Sequence, residues 1–286
     1  MPTVRQLTTS LSEAIQAIYP APEADAIAGL VLEHVLCLSP LQRRMQANEP
    51  VVETVAQQLA AIQERLLTHE PLQYVLGTAH FAGLELAVSP ATLIPRPETE
   101  ELVALIIREQ QNRGGLHILD VGTGSGCIPV ALGVALPGST LTAVDVSSEA
   151  LAVAHRNAVR YAVPINFQEV DILTAEPQIS TALDVLVSNP PYVLEEERAH
   201  MRPNVLAYEP ATALFVPNHD PLLFYRRIAT LGQRLLRPGG SLYFEINEQY
   251  AHATIAMLQE LNYQHCALMA DLFGKDRMTR ATWLGA

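Results

Sequence analysis

The chain has 286 residues, 49% of them hydrophobic, which is material for one large domain or two smaller ones with a substantial core. Its 18 basic residues face 30 acidic ones, for a net charge of −12, and Lys275 is the only lysine. Grip on a nucleic-acid backbone comes mostly from Lys and Arg on phosphate, so this balance counts against DNA or RNA as substrate.

No apolar run approaches the ~18 residues that a bilayer span needs. Residues 1–20 lack the charged start, apolar middle and small-residue cleavage site of a signal peptide. Cys37, Cys127 and Cys266 are widely spaced and odd in number, which suits reduced thiols in the cytoplasm better than a disulfide frame. The nine histidines form no ligand-spaced cluster, and no metal is expected.

Residues 4–70 carry helical periodicity. Leu7, Leu11, Ala14, Ile15 and Ile18 recur at three- and four-residue spacing. Ala26, Ile27, Leu30, Val31, His34 and Leu38 repeat it, and Val51, Val55, Leu59, Ile62 and Leu66 make a third amphipathic helix. These segments predict a small all-α bundle. With four arginines against eight acids, it suits a protein partner better than a nucleic acid. A purely structural cap is the other reading.

Residues 81–88 read as a short β-hairpin around Gly83, and Leu93-Ile94-Pro95-Arg96-Pro97 as a stiff connector. Glu98-Thr99-Glu100 then opens a helix to about residue 110. Acids in a first turn complement the helix dipole, which is sufficient reason for them by itself.

From residue 116 onward the patterns alternate. Strands are expected at 116–120, 140–145, 164–169, 183–188 and 241–246, with helices at about 125–136, 148–161 and 221–236. Such alternation implies a mostly parallel sheet covered on both faces. After a helix over 248–261, extended runs at 263–269 and 278–284 flank a short loop and predict an antiparallel edge.

The first strand of this region runs through Asp120 into Gly122-Thr123-Gly124-Ser125-Gly126, and a helix follows. Glycines there let the backbone turn tightly and approach a ligand at the helix N-terminus. A dinucleotide fold wants G-x-G-x-x-G. The spacing here is G-x-G-x-G with an acid just ahead, which favours S-adenosyl-L-methionine, a ligand with no pyrophosphate and a positive sulfonium. Asp145 ends the next strand, placed to accept from both ribose hydroxyls, although a helix cap is its bland alternative. Asp171 ends the third strand, and with apolar Ile172 it suits the amino edge and face of adenine. All of these ends fall on the carboxyl edge of the sheet, where open α/β folds bind ligands.

The fourth strand ends in Asn189-Pro190-Pro191-Tyr192. Proline cannot donate to a ladder and fixes its own φ, so the strand stops abruptly in a polar amide, two rigid residues and a ring. One reading is a clamp for a planar NH2 group; the other is a strand-ending turn. Its place beside the glycine turn favours the clamp. Asn189, Pro190 and Tyr192 are then the candidate catalytic residues, and Asn189 also borders the methyl donor.

With these motifs placed, the chain resembles the class I methyltransferases that act on planar amino groups. More closely it resembles the bacterial release factor glutamine methyltransferases (the HemK or PrmC family). The matching segments are Pro71 to Gly77, Leu93 to Glu100, Asp120 to Gly126, Val187 to Tyr192, Tyr208-Glu209-Pro210 and Lys275-Asp276-Arg277. The chain departs from the pattern at Val216 to Pro221, where glycines are usual, and at Asn247, where one glycine is.

The resemblance implies a doubly wound, mostly parallel seven-stranded sheet with an antiparallel edge, preceded by a helical bundle and a hairpin connector. The expected division is 1–76 for substrate recognition, 77–97 for the connector and 98–286 for catalysis. It further implies methyl transfer to the glutamine of the Gly-Gly-Gln motif in peptide chain release factors, with Arg96, Glu98 and Thr99 lining the pocket beside Asn189, Pro190, Pro191 and Tyr192. The alternative is an exocyclic-amine methyltransferase of DNA or RNA, which shares N-P-P-Y.

Overall fold

A computed structural model describes residues 1–285 of the chain. They fall into two compact units. The first comprises Met1–Gly77 and Arg202–Tyr208, and the second holds Thr78–Met201 and the chain from Glu209 onward.

In the first unit, α1 (Val4–Ile15), α2 (Ala21–Leu36), α3 (Pro40–Met45), α4 (Glu53–Leu67) and α5 (Leu72–Leu76) follow one another. Leu11, Ile15, Ile27, Val31, Leu32, Leu59, Ile62, Leu66 and Val75 form its core, so the stripes read from the sequence are the buried ones. Thr3 and Gln6 close a capping box at the start of α1. Cys37 ends α2 in the left-handed region, φ 53°, and Ser39 caps α3 with Pro40 in its first turn. The same pair that cannot continue one helix is well suited to begin another.

The second unit starts with a hairpin, β1 (Thr78–Phe81) and β2 (Leu84–Ala87), followed by α6 (Pro97–Gln110), β3 (His117–Val121), α7 (Cys127–Ala135), β4 (Thr140–Asp145), α8 (Ser148–Arg160), β5 (Ile165–Glu169) and β6 (Leu183–Ser188). The stretch after β6 has no clear periodicity in the sequence. It holds β7 (Val193–Leu194), a 3-10 turn, α9 (Pro203–Tyr208), α10 (Ala211–Leu214) and β8 (Phe215–Val216). Of these, α9 belongs to the first unit, where the Tyr208 hydroxyl bonds to Thr68. The chain then continues with α11 (Leu223–Leu235), β9 (Leu236–Glu245), α12 (Ala251–Glu260), β10 (Gln264–Ala270) and β11 (Asp276–Trp283).

The main sheet has seven strands in the order β10-β11-β9-β6-β3-β4-β5. Pairings β9-β6, β6-β3, β3-β4 and β4-β5 are parallel, while β11 lies antiparallel to both β9 and β10. This is the class I methyltransferase fold. Strand β6 is buried along its whole length, as a central parallel strand covered on both faces must be. One apolar layer packs α6 and α7 on one face, through Leu102, Ile106, Ile128 and Leu132. The other packs α11 and α12 on the opposite face, through Ile228, Leu231 and Leu258.

The β1-β2 hairpin is not a free connector. Phe81 and Leu86 enter the first of these layers, and buried Asn157 on α8 both accepts from the Ala87 N–H and donates to the Ala87 carbonyl. At the end of α8, Arg160 pairs with Glu85, and the Tyr161 hydroxyl accepts from the Glu85 N–H and donates to its carbonyl, so five polar contacts in all fix the hairpin.

Candidate active site

The elements converge at the carboxyl ends of β3, β4 and β6. Between β3 and α7 the glycine turn crosses the edge with Gly122, Gly124 and Gly126 all at positive φ. At Gly126 two constraints coincide: φ is +76°, and a Cβ there would lie 2.9 Å from the Cβ of Ala154 on α8. Only glycine permits α7 to begin so close to α8. Asn157 also donates to the Ser125 carbonyl at 2.8 Å, so one buried amide ties the turn, α8 and the hairpin together.

A cavity of about 340 Å³ opens beside this turn. Gly122, Gly124, Asp145, Asp171, Ile172, Asn189, Pro190 and Pro191 line it, with Thr212, Ala213, Phe215 and Phe224 across from them. Asp120, Thr123, Ser125 and Gly126 sit behind the lining, and Arg96, Glu98 and Tyr192 also lie outside it.

Asp145 accepts from the Gly124 N–H at 2.8 Å and from the Ser147 N–H at 3.0 Å. Burial raises its pKa, against the opposing effect of those N–H groups. The acid thus holds the glycine turn to β4, and the helix cap falls to Ser147, which accepts from Ala150. Asp171 accepts from the Leu173 N–H and from the Thr174 hydroxyl, closing a turn that leaves Ile172 buried.

Asp120 is fully buried, and among the described residues neither of its oxygens has a hydrogen-bond partner of ordinary geometry; the hydroxyls of Thr123 and Ser125 are similarly enclosed. Burial pushes Asp120 up to about 7, opposed by the nearby Thr123 hydroxyl. Buried polar atoms without firm partners, under a glycine turn and beside a second carboxylate, form an electronegative floor. That floor suits a cationic ligand and repels a pyrophosphate. The donor set therefore fits S-adenosylmethionine.

At the end of β6 the clamp residues part ways. Asn189 is half-buried in the cavity wall, and its Nδ2 donates to Thr99 Oγ1 at 3.1 Å. Tyr192 turns away, packs against the second apolar layer, and donates its hydroxyl to Glu245 Oε1 at 3.1 Å. The Thr99 hydroxyl donates to Glu245 Oε2 at 2.6 Å. Tyr192, a candidate of the clamp in the sequence, commits its ring to the protein interior, with its pKa raised by burial and by Glu245. Asn247, at the position of the expected glycine, donates to the Tyr192 carbonyl at 3.3 Å and supports the chain beyond the clamp.

Arg96 pairs with Glu209 at 2.6 Å, and the same nearly inaccessible carboxylate accepts from the Ile94 N–H. The Pro-Arg-Pro segment is thereby pinned to the Glu-Pro segment. Glu98 stands half-buried in the first turn of α6.

Residues 6–77 match the PrmC N-terminal domain, and residues 100–207 match the methyltransferase small domain. The chain is 43% identical to the release factor glutamine methyltransferase of Bacteroides thetaiotaomicron over 278 residues, covering 97% of this chain and 99% of that one. With the Flavobacterium psychrophilum release factor glutamine methyltransferase it shares 39% over 283 residues, covering 98% and 99%. The chain belongs to the release factor glutamine methyltransferase family. Among solved structures, a methyltransferase from Pyrococcus furiosus aligns with a TM-score of 0.52 at 19% identity, over 79% of this chain and 100% of that one, a likeness of fold alone.

Within this family member, two site-building residues escaped the sequence reading: Glu245 and Asn157. Glu245 was legible in principle. It is an acid ending a strand at the carboxyl edge, the same signal that singled out Asp145 and Asp171. Asn157 gave no comparable signal, because the Ala87 backbone it holds is 70 residues away in sequence. Glu209 was named only within a segment of the resemblance, and its bond to the Ile94 N–H spans 115 residues.

Proposed function

We propose that this protein transfers a methyl group from S-adenosyl-L-methionine to the side-chain nitrogen of the glutamine in the Gly-Gly-Gln motif of peptide chain release factors. The proposed setting is the cytoplasm, where its three free cysteines stay reduced. The observation that carries the reading is Asn189 on the wall of the same cavity as the glycine turn, so that acceptor and donor sites share one edge of one sheet.

Gly122, Gly124, Asp145, Asp171 and Ile172 would hold the cofactor from the cavity wall, with Asp120, Thr123, Ser125 and Gly126 shaping the turn behind them. When bound, S-adenosylmethionine supplies an electrophilic methyl group on a positive sulfonium. An amide nitrogen is a poor nucleophile because its lone pair is delocalised into the carbonyl. Asn189 Oδ1 and the Pro190 carbonyl are each able to accept one hydrogen of the substrate amide. Two such acceptors orient the NH2 group and draw positive charge toward themselves as the nitrogen attacks. As the nitrogen bonded to the methyl carbon, the carbon–sulfur bond would break with its electron pair left on a neutral thioether, and the nitrogen would lose one of its own protons to water. Pro190 and Pro191 fix the backbone on which both acceptors ride, so orientation is set before the substrate arrives. Holding two reactants in line is worth roughly 7–11 kcal/mol of barrier, and preorganised acceptors add to it. Arg96 and Glu98 stand outside the cavity lining and would act on the site at one remove, Arg96 by holding Glu209.

The test is mass spectrometry of a release factor incubated with the protein and the methyl donor. The expected result is a gain of one methyl group on the Gly-Gly-Gln glutamine. An unmodified glutamine, or methyl on another residue, would reject the assignment.

A further inference from the structure

Glu245 lies at the end of β9, fully buried, with a hydroxyl donated to each oxygen. A carboxylate enclosed in protein is costly, and it stays ionised only where donors meet it. Two donors do so here: Thr99, in the first turn of α6, which also accepts from the Asn189 amide of the cavity wall, and Tyr192, the last residue of the clamp. The cofactor turn makes no hydrogen bond to it among the described residues.

A hydroxyl has one proton. Thr99 gives its proton to Glu245, so toward Asn189 the Thr99 oxygen can act only as an acceptor. The Asn189 amide must then point Nδ2 at Thr99, as observed at 3.1 Å, and turn Oδ1 the other way. An asparagine side chain has almost the same shape after a half-turn about its last bond. Without this chain of bonds, the amide would present a donor to the cavity as readily as an acceptor, and a donor there would repel the NH2 group of a glutamine.

We propose that Glu245 is a positioning residue which, through the single proton of Thr99, fixes the orientation of the Asn189 amide so that an oxygen faces the acceptor amide. The inference rests on the function proposed above and specifies how one acceptor of that site is held.

The direction of the relay depends on the charge of Glu245. A proton placed on Glu245 lets it donate to Thr99, which frees the Thr99 proton for Asn189 Oδ1 and turns the amide round. Burial raises the carboxyl to about 7, opposed by the Thr99 and Tyr192 hydroxyls. Glu98 on α6 raises it further, and Arg277 on β11 lowers it. Cys127 on α7 and Tyr225 on α11 also face it, and burial pushes Cys127 up to about 12 and Tyr225 higher still. Asp120 shares the range near 7 but lies under the cofactor turn, so its titration is read in donor binding.

The experiment uses the full-length enzyme with release factor as substrate and saturating donor. Thr99→Val, Thr99→Ser and Glu245→Gln are compared with wild type for kcat, KM, donor Kd and the pH profile of kcat from 6 to 8.5. Wild type is expected to lose kcat as pH falls through about 7. Thr99→Val is expected to lower kcat by about tenfold or more at pH 8, the scale of one hydrogen bond, while donor Kd stays within a few-fold. Thr99→Ser restores the rate because it keeps the hydroxyl. In Glu245→Gln the low-pH limb disappears and kcat is low throughout, since an amide can face Thr99 by either end.

Circular dichroism and donor binding establish that each variant is folded. Equal rates for Thr99→Val and Thr99→Ser, or an unchanged low-pH limb in Glu245→Gln, would overturn the proposal. Absence of methylation by wild type would instead strike the proposed function itself.

Discussion

Asp120 burdens the fold with a buried carboxyl, a cost that the proposed cationic ligand would offset. Its pKa is raised to about 7 by burial, whereas an unfolded aspartate titrates near ~4. The folded state therefore holds its proton more tightly than the unfolded chain. The stabilisation from that proton is complete below about pH 4 and is lost as pH rises through about 7. Asp120→Asn carries no charge to bury. It is expected to raise the Tm of the ligand-free protein, more at pH 8 than at pH 5, while weakening donor binding; paired thermal-shift and calorimetric titrations check both. Asn189 makes the opposite trade. Asn189→Ala is expected to leave donor Kd within a few-fold but to lower kcat by about 10²–10³, the usual loss for one transition-state hydrogen bond. Single-turnover kinetics on a release factor measure it, and a rate near wild type would remove Asn189 from the mechanism.

The β3–α7 turn and α8 act as one element because Gly126 and Asn157 leave no slack between them. Gly126→Ala forces a Cβ to within 2.9 Å of Ala154 and demands a φ that alanine avoids. Strain of this kind costs about 1–3 kcal/mol, and donor affinity should fall with it because Gly122 and Gly124 ride on the same turn. Asn157→Ala removes three hydrogen bonds at once and leaves the Ser125 carbonyl unpaired. Each buried group left without a partner costs about 1–3 kcal/mol, so this substitution is expected to be the more destabilising of the two. Denaturant unfolding of both variants decides the order.

For the molecule as a whole, the charge of −12 and the single lysine count against a nucleic-acid substrate. A protein that takes a duplex substrate loses affinity steeply as salt releases fewer counterions. Tritiated methyl donor is expected to label release factor, and to leave duplex DNA unlabelled even at low salt. The chain also passes between its two units more than once, since Arg202–Tyr208 packs with Met1–Gly77. No boundary rule finds that return, because residues 202–208 have neither a hydrophobic period nor a change of composition to announce it.

What the amino-acid order determined by itself was everything that depends on local repetition. The helical stripes of residues 4–66, the alternation of strand and helix after residue 116 and the glycine turn each follow from spacing within one element. The abrupt halt at Asn189-Pro190 belongs with them, because proline acts on its own backbone. Tertiary structure decided what each polar side chain faces. It turned Tyr192 from the cavity to Glu245, paired Arg96 with Glu209 across 113 residues, and set Thr99 between Asn189 and Glu245. A hydrogen bond is short and directional, so its partner is fixed only when distant segments pack. That is why Asn189-Pro190-Pro191-Tyr192 could be read as a clamp from the chain, while the bonds that join Asn189 through Thr99 to Glu245 could not.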